Sequence, residues 1–177
     1  MSSIYICNLV DACQHATSIG AAHMVSLLGD DPFPETPHGI TPGRHLRLRF
    51  HDIDEPRDGY QPPEVHHIEQ LLEWGAGWLR AEALVVHCFA GVSRSTAAAL
   101  TLIAQANPGH EEAAARLLRE RAPHAKPNRR VIAMADRVLG LGGRLNGAVA
   151  AMGEPDFATM GTLVELPAVF ASNSGAR

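Results

Sequence analysis

The sequence has little cysteine, few aromatic residues and no long apolar run. Its three cysteines include no Cys-x2-Cys pair, which argues against a disulfide framework and against a zinc site of paired cysteines. No apolar run approaches the ~20 residues that a membrane-spanning helix needs. The chain also does not open on a basic stretch followed by an apolar segment, as a secretion signal does. We therefore expect a cytoplasmic protein that does not insert into a membrane.

Charge and histidine spacing argue against two further classes of protein. The net charge of -4 disfavours nonspecific binding to nucleic acid. The ten histidines include no His-Glu-x2-His pair or other spacing typical of metal ligands, so we predict no metal site. No pattern in the sequence predicts the oligomeric state.

Short apolar segments alternate with helical patterns along the chain. Strands are predicted at residues 4–9, 23–28, 45–50 and 83–86, and helices at residues 11–19, 62–79, 95–106, 111–121 and 128–139. This order is typical of an α/β protein with a central, mostly parallel sheet of about four to five strands flanked by helices. We expect a single domain over residues 1–177, with a core of about 1–145 and a C-terminal extension, 146–177, that packs on it or is partly flexible.

One loop joins the last predicted strand to the helix that follows it. Its sequence is His87-Cys88-Phe89-Ala90-Gly91-Val92-Ser93-Arg94-Ser95, and we call residues 88–94 the cysteine loop. In a tight strand–loop–helix connection, the backbone N–H groups of the loop and of the first helical turn converge and bind a phosphate-sized anion. Residues Phe89, Ala90, Gly91, Val92, Ser93 and Arg94 are therefore the predicted phosphate-binding set.

Cys88 is predicted to lie at the base of this anion site. The N–H groups and Arg94 favour its thiolate over its thiol, which makes it a nucleophile at neutral pH. The planar guanidinium of Arg94 can hold two phosphate oxygens at once. The segment thus predicts nucleophilic chemistry on a phosphate ester.

The segment resembles the His-Cys-x5-Arg-Ser/Thr signature of the cysteine-dependent protein tyrosine phosphatases. Its Ala-Gly-x-Ser-Arg-Ser interior is most similar to the dual-specificity branch, and Pro127-Asn128 also resembles a motif of that branch. The resemblance implies hydrolysis of phosphotyrosine, with some activity on phosphoserine or phosphothreonine, in phosphoprotein substrates. It implies no metal and no organic cofactor, because Arg94 and the N–H groups supply the charge that Mg²⁺ supplies elsewhere.

The resemblance also implies a role for each matching residue. Cys88 attacks phosphorus and forms a cysteinyl-phosphate, while an aspartic acid protonates the leaving oxygen and then activates water. Ser95 assists breakdown of the intermediate. His87 is expected to hold the loop through hydrogen bonds, and Gly91 to let the backbone turn where a Cβ would intrude on the anion site.

Three aspartates are candidates for the general acid. In the family this residue follows the strand before the helix that leads to the nucleophile, roughly thirty residues before the cysteine. Asp52 matches the strand-end position and lies 36 residues before Cys88, whereas Asp58 lies 30 residues before it and Asp54 lies between them. We place Asp52 first and keep Asp54 and Asp58 as alternatives.

Other functions stay open. A non-catalytic module could keep the same loop and bind phosphoproteins without turnover. A phosphatase of a non-protein monoester such as a phosphoinositide is another alternative, although Phe89, Ala90 and Val92 stand where enzymes that act on inositol lipids often place lysines. A rhodanese usually has a shorter Cys-to-Arg interval, and a low-molecular-weight phosphatase or arsenate reductase has its motif near the N-terminus. Both fit less well.

Overall fold

The computed structural model describes residues 3–78 and 80–170, which fold around a five-stranded sheet. The strands are β1 (Ser3–Cys7), β2 (His23–Leu28), β3 (His45–Arg49), β4 (Leu84–Cys88) and β5 (Val164–Pro167), and their order in the sheet is β3-β2-β4-β1-β5. The first four strands are parallel, and β5 runs antiparallel to β1. The predicted α/β class, with a mostly parallel sheet flanked by helices, is confirmed.

Helices cover both faces of the sheet. They are α1 (Ala12–Ile19), α2 (Val65–Gly77), α3 (Arg94–Ala106), α4 (Glu111–Arg121), α5 (Arg129–Val138) and α6 (Arg144–Ala150). The small side chains of α1 pack against β1, β2 and β4 on one face. The larger core lies on the other face around α3, which is buried throughout residues 94–104. In the two described ranges, no helix combines the length and the apolar character needed to cross a bilayer.

The inner strands follow the pattern expected of a covered parallel sheet. Every residue of β2 and β4 is buried, because helices remove both faces of these strands from water. β3 lies at the edge of the sheet and is only half-buried, with Arg47 and Arg49 exposed. Its alternating sequence predicts this exposure.

Two helices differ from the prediction. The predicted helix over residues 62–79 begins at Val65, with Glu64 as its N-cap, so that Pro62 and Pro63 precede it. Leu79 lies outside the described residues. The helix α6 is not predicted, because Gly142, Gly143 and Gly147 weaken the helical pattern there.

Tertiary contacts explain why α6 forms. The carboxylate of Asp136 in α5 accepts hydrogen bonds from the amides of Gly143, Leu145 and Asn146, at 2.7, 2.8 and 3.2 Å. These are amides at the helix N-terminus that have no partner within the helix itself. Leu145 is also fully buried. A carboxylate from another helix therefore caps α6.

Part of the predicted C-terminal extension joins the sheet. β5 pairs with β1 along its length, from Ser3 opposite Pro167 to Ile6 opposite Val164. The segment between α6 and β5 passes Pro123 and the cysteine loop, since the amides of Asp156 and Gly161 donate to the carbonyls of Pro123 and Ala90. Residues 171–177 of the predicted extension lie outside the described residues.

The parallel strands bring distant segments to one edge of the sheet. The carboxyl ends of parallel strands face the same way, and open α/β sheets bind ligands at this edge. Asn8 follows β1, Asp52 follows β3, and the cysteine loop follows β4. These three segments are therefore neighbours in the structure.

Candidate active site

The carbonyl groups of the cysteine loop bond outward to surrounding segments. The carbonyls of Phe89, Ala90 and Val92 accept hydrogen bonds from the amides of Leu9, Gly161 and Lys126, at 3.0, 2.7 and 2.9 Å. A carbonyl and the N–H of the same planar peptide point in opposite directions. These bonds therefore turn the next N–H groups, those of residues 90, 91 and 93, toward the inside of the loop. The Gly91 N–H shows this orientation directly, since it donates to Cys88 Sγ at 3.3 Å.

Several donors in this loop have no acceptor. The amides of residues 90, 92 and 93 make no hydrogen bond within the part of the chain that the structure describes. Arg94 is only 6% exposed. Its Nη1 donates to the carbonyl of Phe50 at 3.0 Å, while its buried Nε has no partner among the described residues. A buried donor without a partner costs about 1–3 kcal/mol, and an anion inside the loop would satisfy these groups.

Cys88 and Ser95 lie in contact at the base of the loop. Cys88 Sγ is 3.2 Å from Ser95 Oγ, and their exposed fractions are 1% and 0%. Ser95 lies in the first turn of α3, so its hydroxyl stays beside the sulfur. The only polar atoms with a hydrogen bond to this sulfur in the described ranges are Ser95 Oγ and the Gly91 N–H.

Gly91 makes the expected turn and also a close contact that was not expected. Its φ of +73° lies in the left-handed region that favours glycine. A Cβ at this position would lie 2.7 Å from the carbonyl carbon of Cys7 and 2.8 Å from the amide nitrogen of Asn8. Glycine therefore also allows the loop to approach the end of β1.

The segment before β5 holds the outer side of the loop. The Gly161 N–H donates to the carbonyl of Ala90, and the Gly161 carbonyl accepts from Asn8 Nδ2 at 3.2 Å. A Cβ at Gly161 would lie 2.6 Å from His124 Nε2 and 2.9 Å from the Gly91 carbonyl oxygen. No local pattern in the sequence predicts this support, because it joins residues more than seventy positions apart.

Of the three candidate aspartates, Asp52 contacts the cysteine loop. Its Oδ1 accepts hydrogen bonds from Ser93 Oγ at 2.7 Å and from Asn128 Nδ2 at 2.9 Å. Asn128 is also the N-cap of α5, as predicted, since its Oδ1 accepts from the Val131 amide at 3.0 Å. Asn128 therefore links the start of α5 to the carboxylate beside the loop.

The other two aspartates have different surroundings. Asp54 Oδ1 accepts from the amides of Arg129 and Arg130, at 3.1 and 3.4 Å, so this carboxylate lies at the N-terminus of α5. Asp58 is exposed in the turn that ends at Tyr60. Asp58 makes no hydrogen bond to the cysteine loop in the described ranges. The structure thus brings Asp52, and not Asp58, to the loop.

A cleft of about 360 Å³ opens beside the loop. Its lining comes from four separate parts of the chain: Asp52, Asp54, Ala90, Val92, Ser93, Lys126, Pro127, Asn128, Arg129 and Ala158. Lys126 is the only lysine in the sequence. The side chains of Lys126 and Arg129 are exposed and form no ion pair with the carboxylates that the structure describes. The mouth of the cleft therefore carries two cationic groups.

His87 lies behind the loop, on the sheet. Its Nδ1 is 3.4 Å from the carbonyl oxygen of Cys88, and its Nε2 is 2.6 Å from Ser26 Oγ. The pKa of His87 is lowered to about 4, chiefly by burial and also by the charge of Arg94, against the opposing effect of the bond with Cys88. The imidazole is therefore neutral at pH 7. Neither of its nitrogens is hydrogen-bonded to the sulfur of Cys88.

This architecture is similar to that of several solved structures. No protein-family model and no curated protein matches the sequence. The structure is similar to that of DUSP15, with a TM-score of 0.62 and 20% identity over 88% of this chain and 93% of that one. It is also similar to a mouse dual specificity phosphatase complexed with zinc tungstate, with a TM-score of 0.59 and 20% identity over 82% of this chain and 86% of the other.

A third similar structure is the human tyrosine phosphatase-like serine/threonine/tyrosine-interacting protein. It has a TM-score of 0.59 and 16% identity, over 78% of this chain and 92% of that one. In all three cases the match covers most of both chains, so it concerns the whole architecture and not the loop alone. The chain therefore has the fold of the dual-specificity phosphatases, a branch of the cysteine-dependent protein tyrosine phosphatases.

Proposed function

We propose that this protein is a protein phosphatase that hydrolyses phosphotyrosine, and also phosphoserine or phosphothreonine, through a cysteinyl-phosphate on Cys88. One observation carries the proposal. In the part of the chain that the structure describes, amides of the cysteine loop and Nε of Arg94 have no hydrogen-bond partner, and the same loop holds Cys88 as a free thiol. Donors of this kind stabilise the equatorial oxygens of a phosphoryl group as their charge changes in the transition state.

In the first step, Cys88 Sγ attacks phosphorus as the bond to the ester oxygen breaks. The leaving oxygen takes a proton from the carboxylic acid of Asp52. Ser93 and Asn128 both donate to Oδ1 of this side chain. Oδ2 is thus left to carry the proton toward the substrate.

In the second step, the Asp52 carboxylate accepts a proton from a water molecule as that water attacks phosphorus. The S–P bond breaks, and its electron pair returns to Cys88. Ser95 Oγ, 3.2 Å from the sulfur, donates a hydrogen bond to the departing thiolate and so stabilises it. Inorganic phosphate leaves, and the enzyme returns to its starting state.

The similarity to the mouse protein supports an oxyanion at this site, because that protein is complexed with zinc tungstate. Tungstate is a tetrahedral oxyanion, like phosphate. We propose that the cysteine loop of the present chain also binds such oxyanions. Inorganic phosphate, vanadate and tungstate should all inhibit hydrolysis competitively.

We expect Arg94→Lys to lower kcat/KM for an aryl phosphate by about a hundredfold, because lysine cannot replace a bidentate guanidinium. Lysine also cannot donate to both the Phe50 carbonyl and the anion in the same geometry. Steady-state kinetics, with inhibition by inorganic phosphate measured in parallel, would check this. Activity within threefold of wild type would mean that Arg94 does not hold the phosphoryl group.

The cleft supports a protein substrate with acidic residues near the phosphorylated residue. Lys126 and Arg129 lie at its mouth without carboxylate partners in the described ranges, and two opposite charges near a surface interact by roughly 1 kcal/mol. We expect Lys126→Glu to lower the ratio of kcat/KM for an acidic over a neutral phosphopeptide by about fivefold. Lys126→Gln should give a smaller decrease in the same ratio. An unchanged ratio in both variants would mean that the cleft does not recognise acidic residues of the substrate.

The first test of the proposed function is hydrolysis of p-nitrophenyl phosphate and of phosphotyrosine peptides by the wild-type protein in EDTA. Hydrolysis that persists in EDTA, and that vanadate stops in a separate assay without EDTA, would support the proposed function. The similarity to a phosphatase-like interacting protein favours a second candidate, a module that binds phosphoproteins without turnover. Binding of a phosphopeptide with no release of phosphate would support that candidate and contradict catalysis.

A further inference from the structure

A continuous row of hydrogen bonds crosses three neighbouring strands and ends at the cysteine loop. Its first links are Arg47 Nη2 to Thr36 Oγ1 at 2.9 Å, Thr36 Oγ1 to His45 Nδ1 at 3.0 Å and His45 Nε2 to Ser26 Oγ at 2.8 Å. Its last links are Ser26 Oγ to His87 Nε2 at 2.6 Å and His87 Nδ1 to the Cys88 carbonyl oxygen at 3.4 Å. We call these side chains the histidine row. The row begins at an exposed edge strand and reaches the backbone of Cys88.

Hydrogen-bonding chemistry sets the direction at the Cys88 end of the row. A carbonyl oxygen can only accept, so the bond to Cys88 requires a proton on His87 Nδ1. At the other end a guanidinium can only donate, so Thr36 Oγ1 accepts from Arg47 and still has its own hydroxyl proton to donate to His45. A row that ran in the opposite direction would break at the Cys88 carbonyl.

The donor and the acceptor of each hydrogen bond inside the row then follow from the proton on His87 Nδ1. Burial, aided by the charge of Arg47, lowers the pKa of His45 to about 4. Both His45 and His87 are therefore neutral at pH 7. A neutral imidazole has one donor and one acceptor nitrogen. His87 Nε2 must therefore accept from Ser26, Ser26 Oγ must accept from His45 Nε2, and His45 Nδ1 must accept from Thr36. Each group donates once, and all the bonds run toward Cys88.

The surroundings keep the row intact. Ser26, His45 and His87 are 0%, 5% and 0% exposed, and Ser26 lies directly opposite His87 in the β2–β4 register. Water does not compete for these bonds, and in a dry interior each bond polarises the next one. Loss of one link would leave a buried polar atom without its partner.

We propose that Thr36, His45 and Ser26 are positioning residues for the cysteine loop, because they hold the proton of His87 on Nδ1, where it donates to the carbonyl of Cys88. If the row breaks, His87 can carry its proton on Nε2 instead, and the Cys88 carbonyl loses its donor. The peptide that follows Cys88 is then free to rotate away from its place under the anion. The effect on catalysis rests on the proposed function, whereas the proton positions do not.

The proton positions can be measured in the wild-type protein without any variant. Long-range ¹H–¹⁵N correlation spectra at pH 7 distinguish imidazoles protonated on Nδ1 from those protonated on Nε2. We expect His87 to be protonated on Nδ1 and His45 on Nε2. Protonation on the opposite nitrogen of either ring, or a charged ring, would overturn the inference.

A matched pair of variants tests the effect at a distance. Thr36 is partly exposed in a loop, and Thr36→Val keeps its shape but removes the hydroxyl, whereas Thr36→Ser keeps the hydroxyl. We expect Thr36→Val to lower kcat/KM for an aryl phosphate about fivefold and to give His87 a mixture of the two protonated forms, while Thr36→Ser stays within twofold of wild type. An unchanged His87 signal in Thr36→Val would contradict the proposal.

Alkylation of Cys88 needs no turnover, so it tests the role of the histidine row separately from the proposed function. Iodoacetamide alkylates free cysteines, and the part of the reaction that inorganic phosphate suppresses reports Cys88. Cys7 does not interfere, because burial raises the pKa of its thiol to about 12. We expect Thr36→Val to slow this part about fivefold at fixed pH, and an unchanged rate would contradict the proposal. If phosphate protects nothing and no phosphate ester is hydrolysed, the proposed function fails, and the His87 signal alone decides the inference.

Discussion

Cys88→Ser should abolish turnover while leaving anion binding in place. A serine hydroxyl needs an adjacent base to become a nucleophile, and the hydrogen-bond partners of the Cys88 sulfur in the described ranges are a hydroxyl and an amide, not a base. Both nitrogens of His87 are used elsewhere, by Ser26 and by the Cys88 carbonyl. Loss of a catalytic nucleophile without a substitute lowers kcat by at least about a thousandfold. The loop amides and Arg94 are unchanged, so inorganic phosphate or a phosphopeptide should bind within about threefold of wild type.

This result can be checked by p-nitrophenyl phosphate hydrolysis with EDTA present, together with calorimetry of phosphopeptide binding. Cys13→Ser is the matched control, because Cys13 is a partly exposed thiol on α1 that contacts the Glu35 carbonyl and makes no hydrogen bond to the cysteine loop in the described ranges. It should retain wild-type activity. Residual activity above about one per cent in Cys88→Ser would refute a cysteinyl-phosphate mechanism.

Asp52→Asn should lower kcat by about a hundredfold to a thousandfold, which is the usual contribution of a general acid. Asparagine has the same shape, and its carbonyl oxygen can still accept from Ser93 and Asn128, so the local structure is retained. The loss should depend on the leaving group. With p-nitrophenyl phosphate, whose leaving oxygen needs little protonation, the decrease should be smaller than with phenyl phosphate.

The other two aspartates supply the controls for this prediction. Asp58→Asn should leave kcat unchanged, because its side chain is exposed and does not reach the loop. Asp54→Asn should have an effect below about fivefold, through weaker bonding to the first amides of α5. A hundredfold loss in either of these variants, with Asp52→Asn near wild type, would assign the general acid to that aspartate instead.

Much of the architecture could be predicted from local sequence. Alternation and apolar runs depend on neighbouring residues, and they predicted the four parallel strands and all the helices except α6. The cysteine loop could be predicted in the same way, since its residues, 88–94, are contiguous. The predicted positions of these elements lie within a few residues of the observed ones.

The contacts that complete the site could not be predicted, because each joins residues that are far apart in the sequence. Asp52 meets Asn128 across 76 positions, and Gly161 meets Asn8 across 153. The three aspartates are close together in one polar loop, and only the packing of that loop against α5 distinguishes them. The same holds for Gly91, because its left-handed turn could be predicted from the sequence but its close approach to the end of β1 could not.

The sequence by itself determined the α/β fold and which reactive groups stand together in the cysteine loop, because strands, helices and a strand–loop–helix connection all depend on residues close together along the chain. Only the tertiary structure decided which aspartate meets the loop, which segments hold its carbonyls outward and how Ser26, His45 and His87 align. The physical reason is that a parallel sheet places the ends of separate strands at one edge. Hydrogen bonds in that buried region then depend on strand order and register, which no single stretch of sequence specifies.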